Sequence, residues 1–122
     1  MTNDTKIRIL ALDDDIALLH DIQRMFWEMD AYEVDIALDA DVAHEMMHNK
    51  QYHVVLFDYS MPRCNGITFI NNAEWDPART KMILMTGHLS HAIIDESFKA
   101  KASGYLIKPF NAEDMMRMLE YQ

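Results

Sequence analysis

A chain of 122 residues, half of them apolar, has room for one domain with its own core and no room for two. Its 20 Asp and Glu against 11 Lys and Arg leave a formal charge of -9, which repels phosphate backbones and anionic lipid and argues against direct nucleic-acid binding. The lone Cys64 cannot close an internal disulfide, Met1-Thr2-Asn3-Asp4 lacks the basic and apolar blocks of a secretory signal, and no apolar run nears the ~18 residues of a membrane span. A soluble, cytoplasmic single domain over residues 1–122 is expected.

With only three Gly and three Pro, and no repeat or low-complexity tract, the elements follow one another closely. The first is an apolar run, Ile7 to Leu12, of the kind that forms a strand buried on both faces. Leu19, Ile22, Phe26 and Met29 then recur at helical spacing. Glu33 to Leu38 alternates, with Val34 and Ile36 apolar against Glu33 and Asp35, which suits an edge strand. Asp39 stands as N-cap to a second helix carrying Val42 and Met46, and Val54 to Phe57 is again continuously apolar. Gly66 to Trp75 places Ile67, Ile70 and Ala73 at helical intervals, weakened by the poor helix formers Asn71 and Asn72. Met82 to Met85 is the fourth strand. Ser90 caps a helix with Ile94 and Phe98, Tyr105 to Ile107 is the fifth strand, and Asn111 caps a last helix with Met115, Met118 and Leu119. Five strand–helix repeats imply a doubly wound parallel sheet, since each parallel crossover needs a long connection. The expected fold is α/β and flavodoxin-like, (βα)5, with five strands in the order 2-1-3-4-5.

Open α/β sheets bind ligands beyond the carboxyl ends of their strands. Here the first strand runs into Asp13-Asp14-Asp15, the third into Asp58, the fourth into Thr86-Gly87 and the fifth into Lys108-Pro109. Carboxylates converging there repel one another unless a cation intervenes, and an all-oxygen donor set suits Mg2+. A lysine and a threonine on the same crevice can bind phosphoryl oxygens, so the chemistry implied is phosphoryl transfer. Asp and Thr also follow strands simply as caps and turn formers, which is the plain alternative for each residue alone.

Ile9-Leu10-Ala11-Leu12-Asp13-Asp14-Asp15, Val54-Val55-Leu56-Phe57-Asp58-Tyr59-Ser60-Met61-Pro62, Gly66, Leu84-Met85-Thr86-Gly87 and Gly104-Tyr105-Leu106-Ile107-Lys108-Pro109-Phe110 occur in that order. Together they resemble the response-regulator receiver domain of two-component signalling, over nearly the whole chain. The resemblance implies that Asp58 takes a phosphoryl group from a sensor histidine kinase or a histidine phosphotransfer protein, a carboxylate acting as nucleophile. It implies that Asp13, Asp14, Asp58 and the backbone carbonyl of Ser60 hold Mg2+, with Asp15 outside the acid pair, and that Lys108 pairs with the phosphoryl group. Thr86 then bonds a phosphoryl oxygen and Tyr105 turns inward as a switch. Ser60 and His88 occupy positions that influence phosphoryl lifetime, and Asn65 stands where the family often has an acid. The face formed by the fourth helix, last strand and last helix is implied as the docking surface for a downstream protein, and for a homodimer. A receiver belonging to a longer regulator with an output domain, and a receiver fold that is not phosphorylated, are the alternatives within this class. In this reading the domain is not an enzyme acting on a separate substrate; it catalyses its own phosphorylation and dephosphorylation.

One motif competes from another class. His44-Glu45-Met46-Met47-His48 matches the H-E-x-x-H of zinc peptidases, with Glu74 available as a third ligand. A helical projection puts Val42, Ala43, Met46 and Met47 on one arc and both histidines opposite, facing solvent, where a catalytic zinc finds no sheltered pocket. His20, His53 and His91 have no partner at useful spacing and are expected on surfaces or loops. Cys64 is a bystander, and the methionines of the last helix are expected to fill core.

Overall fold

The computed structural model describes residues 6–120; Met1-Thr2-Asn3-Asp4, read above for a leader, lie outside them. Five strands and five helices alternate: β1 (Ile7–Leu12), α1 (Ile16–Met25), β2 (Tyr32–Ala37), α2 (Ala40–Asn49), β3 (Val54–Asp58), α3 (Gly66–Asn72), β4 (Lys81–Thr86), α4 (His91–Lys99), β5 (Gly104–Ile107) and α5 (Ala112–Glu120). All strand pairs are parallel and the order is β2-β1-β3-β4-β5, as the repeat predicts. The continuously apolar runs of β1, β3 and β4 occupy the centre, and alternating β2 lies at an edge.

Each central strand feeds two cores. Leu10, Leu12, Val55, Phe57, Met82 and Leu84 point to the face covered by Ala43 of α2, Phe69 and Ile70 of α3 and Ile93 of α4. Ile9, Ala11, Val54, Leu56, Ile83 and Met85 point to the face covered by Leu19 and Ile22 of α1 and Met115 of α5. Burying both faces is what makes these strands apolar throughout. Met82, Met85 and Met115 are wholly buried, and Met116 and Met118 pack on the second core, so the methionines of α5 are core filling. Among the described residues no helix is long and apolar enough to cross a membrane.

The caps at Asp39 and Ser90 form as expected, their side-chain oxygens accepting from Val42 N–H at 2.9 Å and Ile93 N–H at 3.2 Å. Asn111 caps reciprocally: its Oδ1 accepts from Asp114 N–H at 2.8 Å and its own N–H donates to Asp114 Oδ2 at 3.0 Å.

Helix ends and faces depart from the periodicity in four places. α1 stops at Met25, because Phe26 is pulled into the core against Tyr32, 5.0 Å between ring centroids, and tight turns carry the chain straight into β2; Met29 therefore lies in the connection, exposed. α2 buries Ala43 and leaves Val42 exposed, so its apolar stripe is rotated from the predicted arc. α3 ends at Asn72 rather than Trp75: the Trp75 indole N–H donates to Ile70 O at 3.2 Å, supplying the bond that a further helical turn would have made. α4 buries Ile93 and Ser97, not Ile94 and Phe98, and Phe98 is left half exposed. In β2 the strand begins at Tyr32 and Leu38 is already exposed.

His53 is also more than a loop residue. Its N–H donates to Arg8 O and its Nδ1 accepts from Arg8 N–H, both at 2.9 Å, extending the β1–β3 pairing toward the amino ends. Burial, helped by the Arg8 charge, pushes its pKa below the ordinary 6.5, and protonation would remove the acceptor. Since the unfolded chain then binds the proton more readily, this contribution is complete above pH 6.5 and is lost as pH falls through the lower folded value. His53→Asn, whose Oδ1 can take the place of Nδ1, should fold comparably at pH 7.5. Urea titrations should find it losing less stability than wild type between pH 7.5 and 5.

Candidate functional site

The ladders continue one step past the strand ends and thereby fix the backbone of the site. Asp13 N–H donates to Ala37 O at 3.2 Å, Tyr59 N–H to Met85 O at 2.9 Å and Lys108 N–H to Thr86 O at 2.8 Å. Asp13 and Asp58 are thus delivered, both buried, to the junction of β1 and β3, where the strand order reverses. Asp14 stands beside them exposed, and carboxylate oxygens of all three lie within 4.8 Å of one another. Asp13 Oδ1 accepts from Asp15 N–H at 3.0 Å. The Asp15 carboxylate instead caps α1, accepting from Ala17 and Leu18, so it is outside the acid pair as expected.

Lys108 enters from the end of β5, after which the Lys108–Pro109 peptide is cis. Its Nζ donates to Asp13 Oδ2 at 2.7 Å and to Asp58 Oδ1 at 2.9 Å. Burial raises the Asp58 pKa above the ordinary 3.8 and the Asp13 charge adds to that, opposed by the Lys108 ammonium and the Ser60 backbone amide. Burial raises Asp13 likewise, against the bonds from Lys108 and the Asp15 amide. For Lys108, burial works toward the neutral form but the bonds to both acids prevail and hold its pKa above 10.5. One cation thus faces three acids, and hard oxygen donors with excess negative charge fit Mg2+. Among the described residues this is the one cluster of three or more acidic, His or Cys groups close enough to share an ion.

The remaining predicted residues lie on β4, on β5 and in the connections that follow β3 and β4. Thr86, buried at the end of β4, has its hydroxyl turned to its own loop, donating to His88 O at 3.0 Å and accepting from His88 N–H at 3.2 Å. Tyr105 is half-buried on β5, and Ser60 and His88 are exposed. Asn65, where the resemblance favours an acid, is the N-cap of α3, its Oδ1 accepting from Thr68 N–H at 2.9 Å. Gly66 follows for a steric reason: a Cβ there would stand 2.6 Å from Asp58 O and 3.0 Å from the Phe57 ring, so only glycine lets α3 start against the end of β3.

A cleft of about 480 Å3 adjoins Asp14, walled by Leu38, Asp39, Met61, Arg63 and Cys64. Sequence reasoning missed it, because it is assembled from three separate connections and no single motif marks it. Among the described residues the H-E-x-x-H motif does not bring three candidate ligands together. His44 does not face solvent but stacks on Phe69, 4.8 Å between ring centroids, with Nε2 3.2 Å from Phe69 O. His48 instead pairs with Glu74 at 3.2 Å on the surface.

Fold and site together define a doubly wound α/β domain with a carboxylate–lysine centre at its strand-order switch. The chain belongs to the response regulator receiver domain family, whose pattern matches residues 9–120. It is 25% identical to a probable chemotaxis protein CheY of Rhizobium etli, over 94% of this chain and 91% of that protein. It is 30% identical to the transcriptional regulatory protein ResD of Bacillus subtilis, over 94% of this chain and 46% of that one. The chain thus spans about half the length of the transcriptional regulators it matches. The structure superimposes on chemotaxis response regulator CheY4 of Vibrio cholerae with a TM-score of 0.86 and 26% identity, covering 96% of this chain and 98% of the other.

Two outcomes test the geometry. An acid that ionises less readily in the fold than in the unfolded chain stabilises below pH 3.8, and loses that contribution as pH rises through its folded value. Asp58→Asn should therefore melt higher than wild type at pH 7 with chelator present, by roughly 3–6 °C per kcal/mol relieved, and the gap should close toward pH 4. Gly66→Ala should lower stability by about 1–3 kcal/mol in urea titration, since the backbone at Asp58 must give way.

Proposed function

We propose that Asp58 is the phosphoacceptor of a two-component phosphorelay, taking its phosphoryl group from a phosphohistidine on a sensor histidine kinase or histidine phosphotransfer protein. The observation that carries this is the pair of hydrogen bonds from Lys108 to Asp13 and Asp58 beside exposed Asp14, which sets a cation and a third carboxylate around Asp58 at the sheet edge. An Asp58 carboxylate oxygen forms the new bond to phosphorus while the phosphorus–nitrogen bond of the donor breaks; the imidazole departs with the electron pair and takes a proton from solvent. Asp13, Asp14, Asp58 and the Ser60 backbone carbonyl would hold Mg2+, which when bound supplies charge neutralisation for the carboxylates and the incoming phosphoryl oxygens. Lys108 exchanges its carboxylate partner at Asp58 for a phosphoryl oxygen.

Thr86 gives up the bonds within its own turn to donate to the phosphoryl group, and Tyr105 on the neighbouring strand follows inward. Ser60 and His88, both exposed beside the centre, set how readily water reaches the acyl phosphate. The altered face is that of α4, β5 and α5, where Phe98 and Ile107 are half exposed and a cleft runs between Tyr105, Phe110 and Met118. A downstream protein, an output domain of a longer regulator, or a second receiver docks there. The domain acts on itself in the cytoplasm and turns over no separate substrate.

Incubation with acetyl phosphate and Mg2+ followed by intact-mass measurement should give an adduct of about 80 Da on wild type, absent from Asp58→Asn and absent when the metal is chelated. An unmodified wild type would leave a receiver fold that signals without phosphorylation.

A further inference from the structure

Among the described residues, the most exposed large apolar side chain lies away from both the acidic centre and the α4–β5–α5 face. Trp27, 77% exposed, follows the end of α1 and walls a groove of about 290 Å3 between that helix and edge strand β2. The floor is the tilted Phe26–Tyr32 pair, and Val34 closes it. Phe26 is buried in the second core, while most of the Trp27 side chain is left in water. A large apolar side chain held in water at the rim of a preformed aromatic slot has the form of an interface anchor.

The charge around it selects the occupant. Glu28 and Asp30, both exposed, follow Trp27 in the turn and make no ion pair among the described residues. Arg24 is already tied to Asp21, and Lys50 to Glu33 and Asp35. A second copy of a chain carrying -9 would bring these acids against their own images, which disfavours self-association here. We propose that the α1–β2 edge is a docking surface for a basic protein segment that presents one apolar side chain to the Phe26–Trp27–Tyr32 slot and Lys or Arg to Glu28 and Asp30. This surface is independent of Asp58 chemistry, so its test needs no phosphodonor.

The probe is the peptide acetyl-Lys-Arg-Leu-Phe-Arg-Lys-amide carrying a fluorophore, followed by anisotropy at low and at moderate salt. Binding to wild type should weaken as salt rises, and Trp27→Ala and the double variant Glu28→Lys, Asp30→Lys should each weaken it at least fivefold. Val42→Ser, which removes an exposed apolar side chain on α2, should not. Because the substituted groups are exposed, melting temperatures should match wild type, and Trp27→Ala should take up phosphoryl from acetyl phosphate as wild type does. Failure of the peptide to bind wild type, or equal binding to Trp27→Ala, would overturn the proposal. So would a wild-type dimer in sedimentation that Trp27→Ala abolishes, which would make a second copy the occupant.

Discussion

The bridge from Lys108 to Asp13 and Asp58 is the interaction on which the arrangement of this domain depends. Two carboxylates buried at neighbouring strand ends are unfavourable on solvation grounds alone, and their mutual repulsion adds to that. A single ammonium at 2.7 and 2.9 Å offsets both, and it reaches them only because β5 is parallel to β4 and carries Lys108 to the same edge. Removing Lys108 would leave both buried carboxylates without their counter-charge, a loss that typically costs about 3–5 kcal/mol, whereas removing one of the acids relieves burial and repulsion. The compensation is nevertheless incomplete, since Asp14 adds a third negative group. That residual charge is what makes the cluster receptive to a divalent cation.

Much of this was readable from the chain. β1, β3 and β4 are apolar at every position because both faces are covered, and that pattern fixed both the sheet type and the central strands. The acids, threonine and lysine were locatable because strand ends in an open α/β sheet converge whatever the intervening helices do. Helix faces were less legible. Ile93 and Ile94 are equally apolar and Val42 is more apolar than Ala43, yet Ile93 and Ala43 are the ones buried; which of each pair turns inward is set by tertiary packing. The end of α3 depends on a side chain three residues beyond it, Trp75, whose indole replaces a backbone donor, and propensity has no means of registering that.

The histidine motif on α2 shows the same limit from the other side. Its spacing is that of a zinc helix, yet the helix is rotated enough that His44 meets Phe69 while His48 meets Glu74. The two imidazoles are therefore occupied by different neighbours, one an aromatic face and a carbonyl, the other a surface acid. Spacing along a helix sets which residues share a side but leaves open what that side rests against. The acidity of the chain divides in a comparable way: a small part is concentrated at the strand ends with its own counter-charge, while other acids serve as helix caps or in surface pairs.

The distances along the chain spanned by the Lys108 bridge carry a consequence for assembly. Asp13 and Lys108 are 95 residues apart in sequence, and Asp58 and Lys108 are 50 apart. No local segment can compensate the acids; their counter-charge arrives only when the final strand has joined the sheet. Every strand pairing here is likewise non-local, a topology in which loop closure precedes the gain from contacts. The electrostatic centre is thus complete only with β5 in place, and a chain in which β5 has come away would present two like charges without their counter-charge at the junction of β1 and β3. Nascent and partly opened chains therefore lack the balanced site, which ties competence for chemistry to closure of the entire sheet.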